Sequence, residues 1–287
     1  MSVPPGAVLA GLAAAMCFAT NSVFQHHGVN RAAAGRAMRG QLLARVAARP
    51  VWLLGSAAGL VAVGLQALAL AWGPVSVVQP LLVTALLFAL PATVLVRGRR
   101  PAPAEWVWAC VVIVGLVLFL ASAHPESAAP GRVRSTGLLV ATLALGVLGG
   151  LVVGVALWAR TRYRAVLLGA ASGVGYGLAG ALGRYCLVQL QSGPRLVLTD
   201  WPLWALLAVA VLSVVVEQFA FHAGPLAASL PPITVLEPLV AVFLGVTTLD
   251  ESVGLSLGAL VGEGAGGITL LVALMFLARH ASRAPIR

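Results

Sequence analysis

The sequence contains no lysine; all 18 of its basic residues are arginine. That removes the phosphate-binding lysine of nucleotide-hydrolysing loops, and with it ATP hydrolysis as a power source within this chain. There is no HExxH and no pair of histidines at metal-ligand spacing, so neither an enzyme nor a resident cofactor is expected. Charge is scarce as well, at 9% of residues, where soluble domains carry about 25%. The net charge of +10 comes with no basic stripe interleaved with aromatics, so no nucleic-acid partner is expected. Cys17, Cys110 and Cys186 stand singly in apolar runs, which excludes a disulfide framework and a cysteine metal cluster. The opening MSVPPGAV lacks the positive stretch of a cleaved signal peptide, so the first apolar run is expected to stay.

What the chain has in abundance is apolar sequence, 60% of residues. A helix needs about 20 apolar residues to cross a bilayer core. Runs of that kind fall at 7–25, 51–72, 75–96, 106–122, 136–158, 165–188, 203–221, 226–247 and 253–278, here called spans 1 to 9. The longest gap, 26–50, is too short for a soluble domain. The expectation is an all-α integral membrane protein with nine transmembrane helices.

Arginine placement orients it. Arg31, Arg36, Arg39, Arg45 and Arg49 lie in the first gap, Arg97, Arg99 and Arg100 in the third, Arg160, Arg162 and Arg164 in the fifth, and Arg279, Arg283 and Arg287 in the tail. The alternate gaps hold only Arg132, Arg134 and Arg195. Cytoplasmic loops collect arginine, so the N-terminus is expected outside and the C-terminus in the cytoplasm, in a plasma (inner) membrane. The Ala/Arg-rich segment 26–50 fits a basic topogenic loop, or an amphipathic helix lying on membrane lipids.

The chain also repeats itself. QALALAWGPVSVVQPLLVTALLFAL, from Gln66 to Leu90, returns from Glu217 as EQFAFHAGPLAASLPPITVLEPLVA. At a constant offset of 151, Gly73-Pro74 falls on Gly224-Pro225, Pro80 on Pro231 and Gly115 on Gly266. Spans 1–4 therefore correspond to spans 6–9, with span 5 between them. An odd connector makes the second four cross in the opposite sense, so the layout is an inverted repeat: residues 1–135, connector 136–158, and residues 159–287. Proline-interrupted segments at matching places in two such halves point to a transporter's binding site.

The second copy continues through Leu236-Glu237-Pro238 to an acidic Asp250-Glu251 turn and a last span with Gly258 and Gly262. This resembles the closing half of transporters of the drug/metabolite transporter superfamily. Residues 71–81, AWGPVSVVQPL, and the nine-span layout are similar to that superfamily's magnesium-transporter-like branch. The resemblance implies alternating-access transport of a small solute, with magnesium one candidate cargo. The first copy departs from the pattern, with Arg99-Arg100 opposite Asp250-Glu251 and Leu86 opposite Glu237. A symmetric pair of carboxylates is therefore not expected.

An ionisable side chain inside the membrane costs about 2.5–3.5 kcal/mol on insertion scales and needs a reason. Glu237, in mid-span and followed by Pro238, is the first candidate for binding a cation or exchanging a proton. It would also be the metal ligand of a Mg²⁺ permease. A purely structural ion pair is its alternative. Glu217 is the second candidate, with His222 as its possible relay partner. Gln66, Gln79 and His222 are candidate substrate contacts, although amides also serve as helix–helix glue. Asn21, Ser172 and Tyr176 are candidate lining, and Arg184 with Glu263 reads as a structural pair. His26 and His27 read as interface residues. Glycines between Gly169 and Gly183 and between Gly262 and Gly267 fit close helix packing, and leave a homodimer open.

Overall fold

The computed structural model describes residues 4–33, 46–72, 78, 81–97, 102–123, 135–159, 161–248, 261, 262, 264–270, 272, 273 and 276. Among them every regular element is helical. The elements are α1 (Pro5–Ala33), α2 (Pro50–Trp72), α3 (Ala85–Arg97), α4 (Pro103–Ala123), α5 (Ser135–Trp158), α6 (Thr161–Ser192), α7 (Pro194–Thr199), α8 (Trp201–Ala223) and α9 (Leu226–Thr248). A further helical stretch covers 264–270.

Pro5–Arg31, Pro50–Ala69, Thr136–Trp158, Tyr163–Cys186, Trp201–Ala223 and Leu226–Gly245 are long and apolar enough to cross a membrane. Leu81–Val96 and Pro103–Phe119 are shorter apolar helices. These stretches coincide with spans 1 to 8, and 264–270 falls within span 9. The chain thus has the build of an all-α, multi-pass membrane protein.

Two boundaries differ from expectation. Helix α1 runs to Ala33, about two turns past the end of span 1. Its polar continuation stays helical because it is packed: His26 is 1% exposed, and Asn30 Nδ2 donates to the His26 carbonyl one turn back. After α6 the chain does not loop directly into α8. Gly193, at φ 135°, takes a conformation that favours glycine, and α7 follows. Asp200 then caps α8, its carboxylate accepting from the Trp201 amide at 2.9 Å.

Helix α1 packs on α2 and α3, and α6 packs on α8 and α9. Half of the α6 span is buried against 6% of the α5 span, so α6 is central and α5 peripheral. Lipid is as apolar as leucine, so helices in it are held by close contact rather than by hydrophobic burial. The α6–α9 seam shows how. Gly169, Gly173 and Gly177 recur at four-residue spacing along one face of α6. A Cβ added at them would lie 2.5, 2.8 and 2.5 Å from the carbonyl oxygens of Ser229, Ile233 and Glu237 on α9. These three glycines are used inside the protein. The stretch 264–270 closes on α4 in the same manner, with Gly266 against the Gly115 carbonyl and the Phe119 backbone. Trp108 stacks on Phe276 with ring centroids 4.3 Å apart.

The largest apolar cluster draws on both sequence halves. Ala19 and Val23 of α1, Val83, and Leu86 of α3 meet Phe221 of α8 and Leu230 and Ile233 of α9. Leu86, which stands where the repeat would place a second Glu237, is a core residue at 5% exposure.

Candidate functional site

Glu237 sits halfway along α9, between Pro231-Pro232 and Pro238. Proline at 238 has no N–H for the carbonyl four residues earlier, so the Thr234 carbonyl loses its helical donor midway along the helix. The Thr234 hydroxyl does not compensate; it donates to the Leu230 carbonyl at 3.1 Å. The Glu237 backbone lies against Gly177, while its side chain is exposed. Its helix packs along α6, the helix that carries Tyr176.

Across from it, the Tyr176 hydroxyl on α6 donates to Glu217 Oε2 on α8 at 2.6 Å. Hydrogen bonds to a charged acceptor run short and strong, and Glu217 is only 5% exposed. One turn along α6, the Ser172 hydroxyl donates to the Ser213 carbonyl at 3.0 Å, fixing the crossing of α6 and α8 beside the pair. Helices α6 and α8 thus join a phenol and a carboxyl group directly, and α9, packed on α6, carries the second carboxyl group. Such a set accepts hydrogen bonds and positive charge and offers little to an anion.

Next to Glu217 the polar side chains turn the other way. Gln218, 2% exposed, donates from Nε2 to Gln25 Oε1 at 2.7 Å and accepts at Oε1 from Trp52 Nε1 at 2.9 Å. Gln25 in turn donates to the Ser56 hydroxyl at 3.2 Å. His26 Nε2 meets the Gly224 carbonyl at 3.0 Å. Both amide groups have donor and acceptor engaged, as buried polar groups require.

The other predicted residues separate. His222 is exposed in the last turn of α8, within reach of the Arg164 charge. It follows Glu217 by five residues, which on an α-helix is about 140° around the axis, so the two do not face each other. Gln66 is half-buried on α2. Trp52 anchors that helix at Gln218, and Gln66 lies 14 residues further on, about 21 Å along the axis; it does not join the cluster. Asn21, half-buried on α1, packs against Gly59, and its Oδ1 is buried without a hydrogen-bond partner among the described residues. Arg184 is exposed on α6. Gln79 and Glu263 lie outside the described residues.

Among the described residues no three His, Cys, Asp or Glu side chains gather in metal-binding fashion. A cation here would rest on Glu217 and Glu237, with backbone carbonyls and water completing its shell, a set that suits Mg²⁺ because that ion keeps several waters.

Gln25, Trp52 and Ser56 were not among the sequence candidates. One signal was present: Asn21 and Gln25 are four residues apart, which places them on one helical face.

The fold and this cluster define an all-α membrane protein with an acidic–aromatic centre. The chain is 28% identical over 279 residues, covering 95% of it, to an uncharacterized protein of Corynebacterium glutamicum, of which the match covers 94%. No family model and no solved structure matches it.

Proposed function

We propose that this protein is a secondary transporter of the drug/metabolite type, moving a small solute across the plasma membrane by alternating access. Two inverted four-helix halves, 1–135 and 159–287, rock about the centre, joined by connector span 5, with the N-terminus outside and the C-terminus in the cytoplasm. Two packing features support that layout. The pairing of α1 with α2 and α3 repeats as α6 with α8 and α9. Gly115 and Gly266, 151 residues apart, lie against each other. Repeat-related residues meet only where a two-fold axis passes.

The observation that carries the functional reading is Glu237: exposed, midway along α9, beside a freed carbonyl, on a helix packed against the one that carries Tyr176. Glu237 is the principal ion- or proton-binding group and Glu217 its partner, held in place by Tyr176. Gln66, Gln79, His222 and Asn21 are substrate contacts, met at other stages of the cycle or by other parts of the solute.

A second reading, a permease for Mg²⁺ or another divalent cation, is favoured by the convergence of Glu217 and Glu237 alone. Flux into proteoliposomes separates the two. Uptake of Mg²⁺ without amines selects the permease, and proton movement driven by an organic solute selects the exchanger. No flux of any solute leaves a non-transporting scaffold or partner subunit.

A further inference from the structure

The bonds around Gln218 join the two sequence halves. Gln25, Trp52 and Ser56 belong to the first half, and Gln218 and Gly224 to the second. They lie at one end of the bundle, where α8 turns into α9 at Gly224-Pro225. On the arginine pattern that end is cytoplasmic. Apolar side chains fill the same end. Phe221 is fully buried with its ring edge-on to His26, centroids 5.6 Å apart. Leu226, Leu230 and Ile233 are buried above it on α9. Beyond them on the same helix Glu237 is exposed.

A body that alternates by moving one half against the other must part whatever ties the halves at each end. Resting on the transport reading, we propose that Gln25, Trp52 and Gln218, with the His26–Gly224 bond, form the latch that holds the Gly224 end shut, Ser56 keeping Gln25 in place. The structure is then the state in which Glu237 is reached from the opposite end. The latch suits reversible opening, because interhelical bonds in a membrane are individually weak, and each is worth about threefold in an equilibrium. A wholly apolar plug would leave the closed state fixed by packing alone. A ring of bonds with all amide groups engaged closes in one register, and on opening its groups pass to water at the membrane surface.

Side-specific thiol labelling tests this without needing a substrate. Leu230→Cys, 9% exposed just above the plug, serves as reporter in a chain with Cys17, Cys110 and Cys186 replaced by alanine. Reconstituted protein is treated with a membrane-impermeant maleimide from either face. Gln218→Ala removes two latch bonds and is expected to raise labelling from the Gly224 face roughly tenfold, with no rise from the other face. Trp52→Phe removes one bond while keeping the ring and is expected to raise it about threefold, so the proposal stays testable should Gln218→Ala not fold. An unchanged rate in the folded variants, or an equal rise from both faces, overturns the latch. Faster one-sided labelling in a protein that carries no solute supports the latch and removes the transport reading; flux with unchanged labelling does the reverse.

Discussion

Tyr176 on α6 donates its phenolic hydrogen to Glu217 on α8 across 2.6 Å. The bond spans the interface of a central helix and sets the direction of a buried carboxyl group. Removing it with Tyr176→Phe leaves that carboxyl without its donor, a loss of about 1–3 kcal/mol for a buried acceptor. Thermal unfolding in detergent is expected to shift down accordingly. Glu217→Gln, which keeps an oxygen for the tyrosine, is expected to lose less. Equal unfolding temperatures for wild type and Tyr176→Phe would show that the bond contributes nothing.

The glycines of α6 give a contrast within one helix. A Cβ at Gly177 would lie 2.5 Å from the Glu237 carbonyl and 2.7 Å from the Val240 Cβ, whereas a Cβ at Gly180 meets nothing within 4 Å. Gly177→Ala must push α9 away and is expected to cost about 1–3 kcal/mol, as overpacking does. Gly180→Ala is expected to be neutral or to stabilise the helix by up to about 1 kcal/mol, since alanine is the better helix former. Unfolding of the two variants side by side checks this; similar losses would contradict the packing described.

The inverted layout predicts that tags on the two termini are modified from opposite faces of the membrane, the N-terminal one from outside and the C-terminal one from the cytoplasm. Impermeant-reagent labelling of cells and of inverted vesicles decides it. Both tags reacting from one side would remove the odd span number and with it the inverted repeat.

How far the sequence reached follows from what each feature depends on. Spans are legible because a bilayer core sets their length, and an apolar run such as 136–158 satisfies that condition without reference to any neighbour. Glu217 and Glu237 were legible for a related reason: a carboxyl group in such a run is costly wherever the run packs. The end of α1 was not, because His26 and Asn30 look like loop residues until their partners, the Gly224 carbonyl and the turn before, are known. The separation of His222 from Glu217 needed only helical geometry. The bonds of Gln218 to Gln25 and Trp52 needed more: they join residues 193 and 166 positions apart and exist only once α1, α2 and α8 have crossed. Gln79 and Glu263, both sequence candidates, lie outside the described residues.

The central claim is that Glu237 binds the transported or coupling ion, and flux in proteoliposomes tests it most directly. Wild type, Glu237→Gln and Glu105→Gln are compared for Mg²⁺, amine and proton movement. Glu105 serves as control because its carboxylate caps the start of α4, accepting from the Ala102 amide at 3.0 Å, far in sequence from the cluster. The account predicts flux in wild type and Glu105→Gln and at least a hundredfold loss, roughly 2.7 kcal/mol in transition-state terms, in Glu237→Gln. Undiminished flux in a folded Glu237→Gln protein would contradict it.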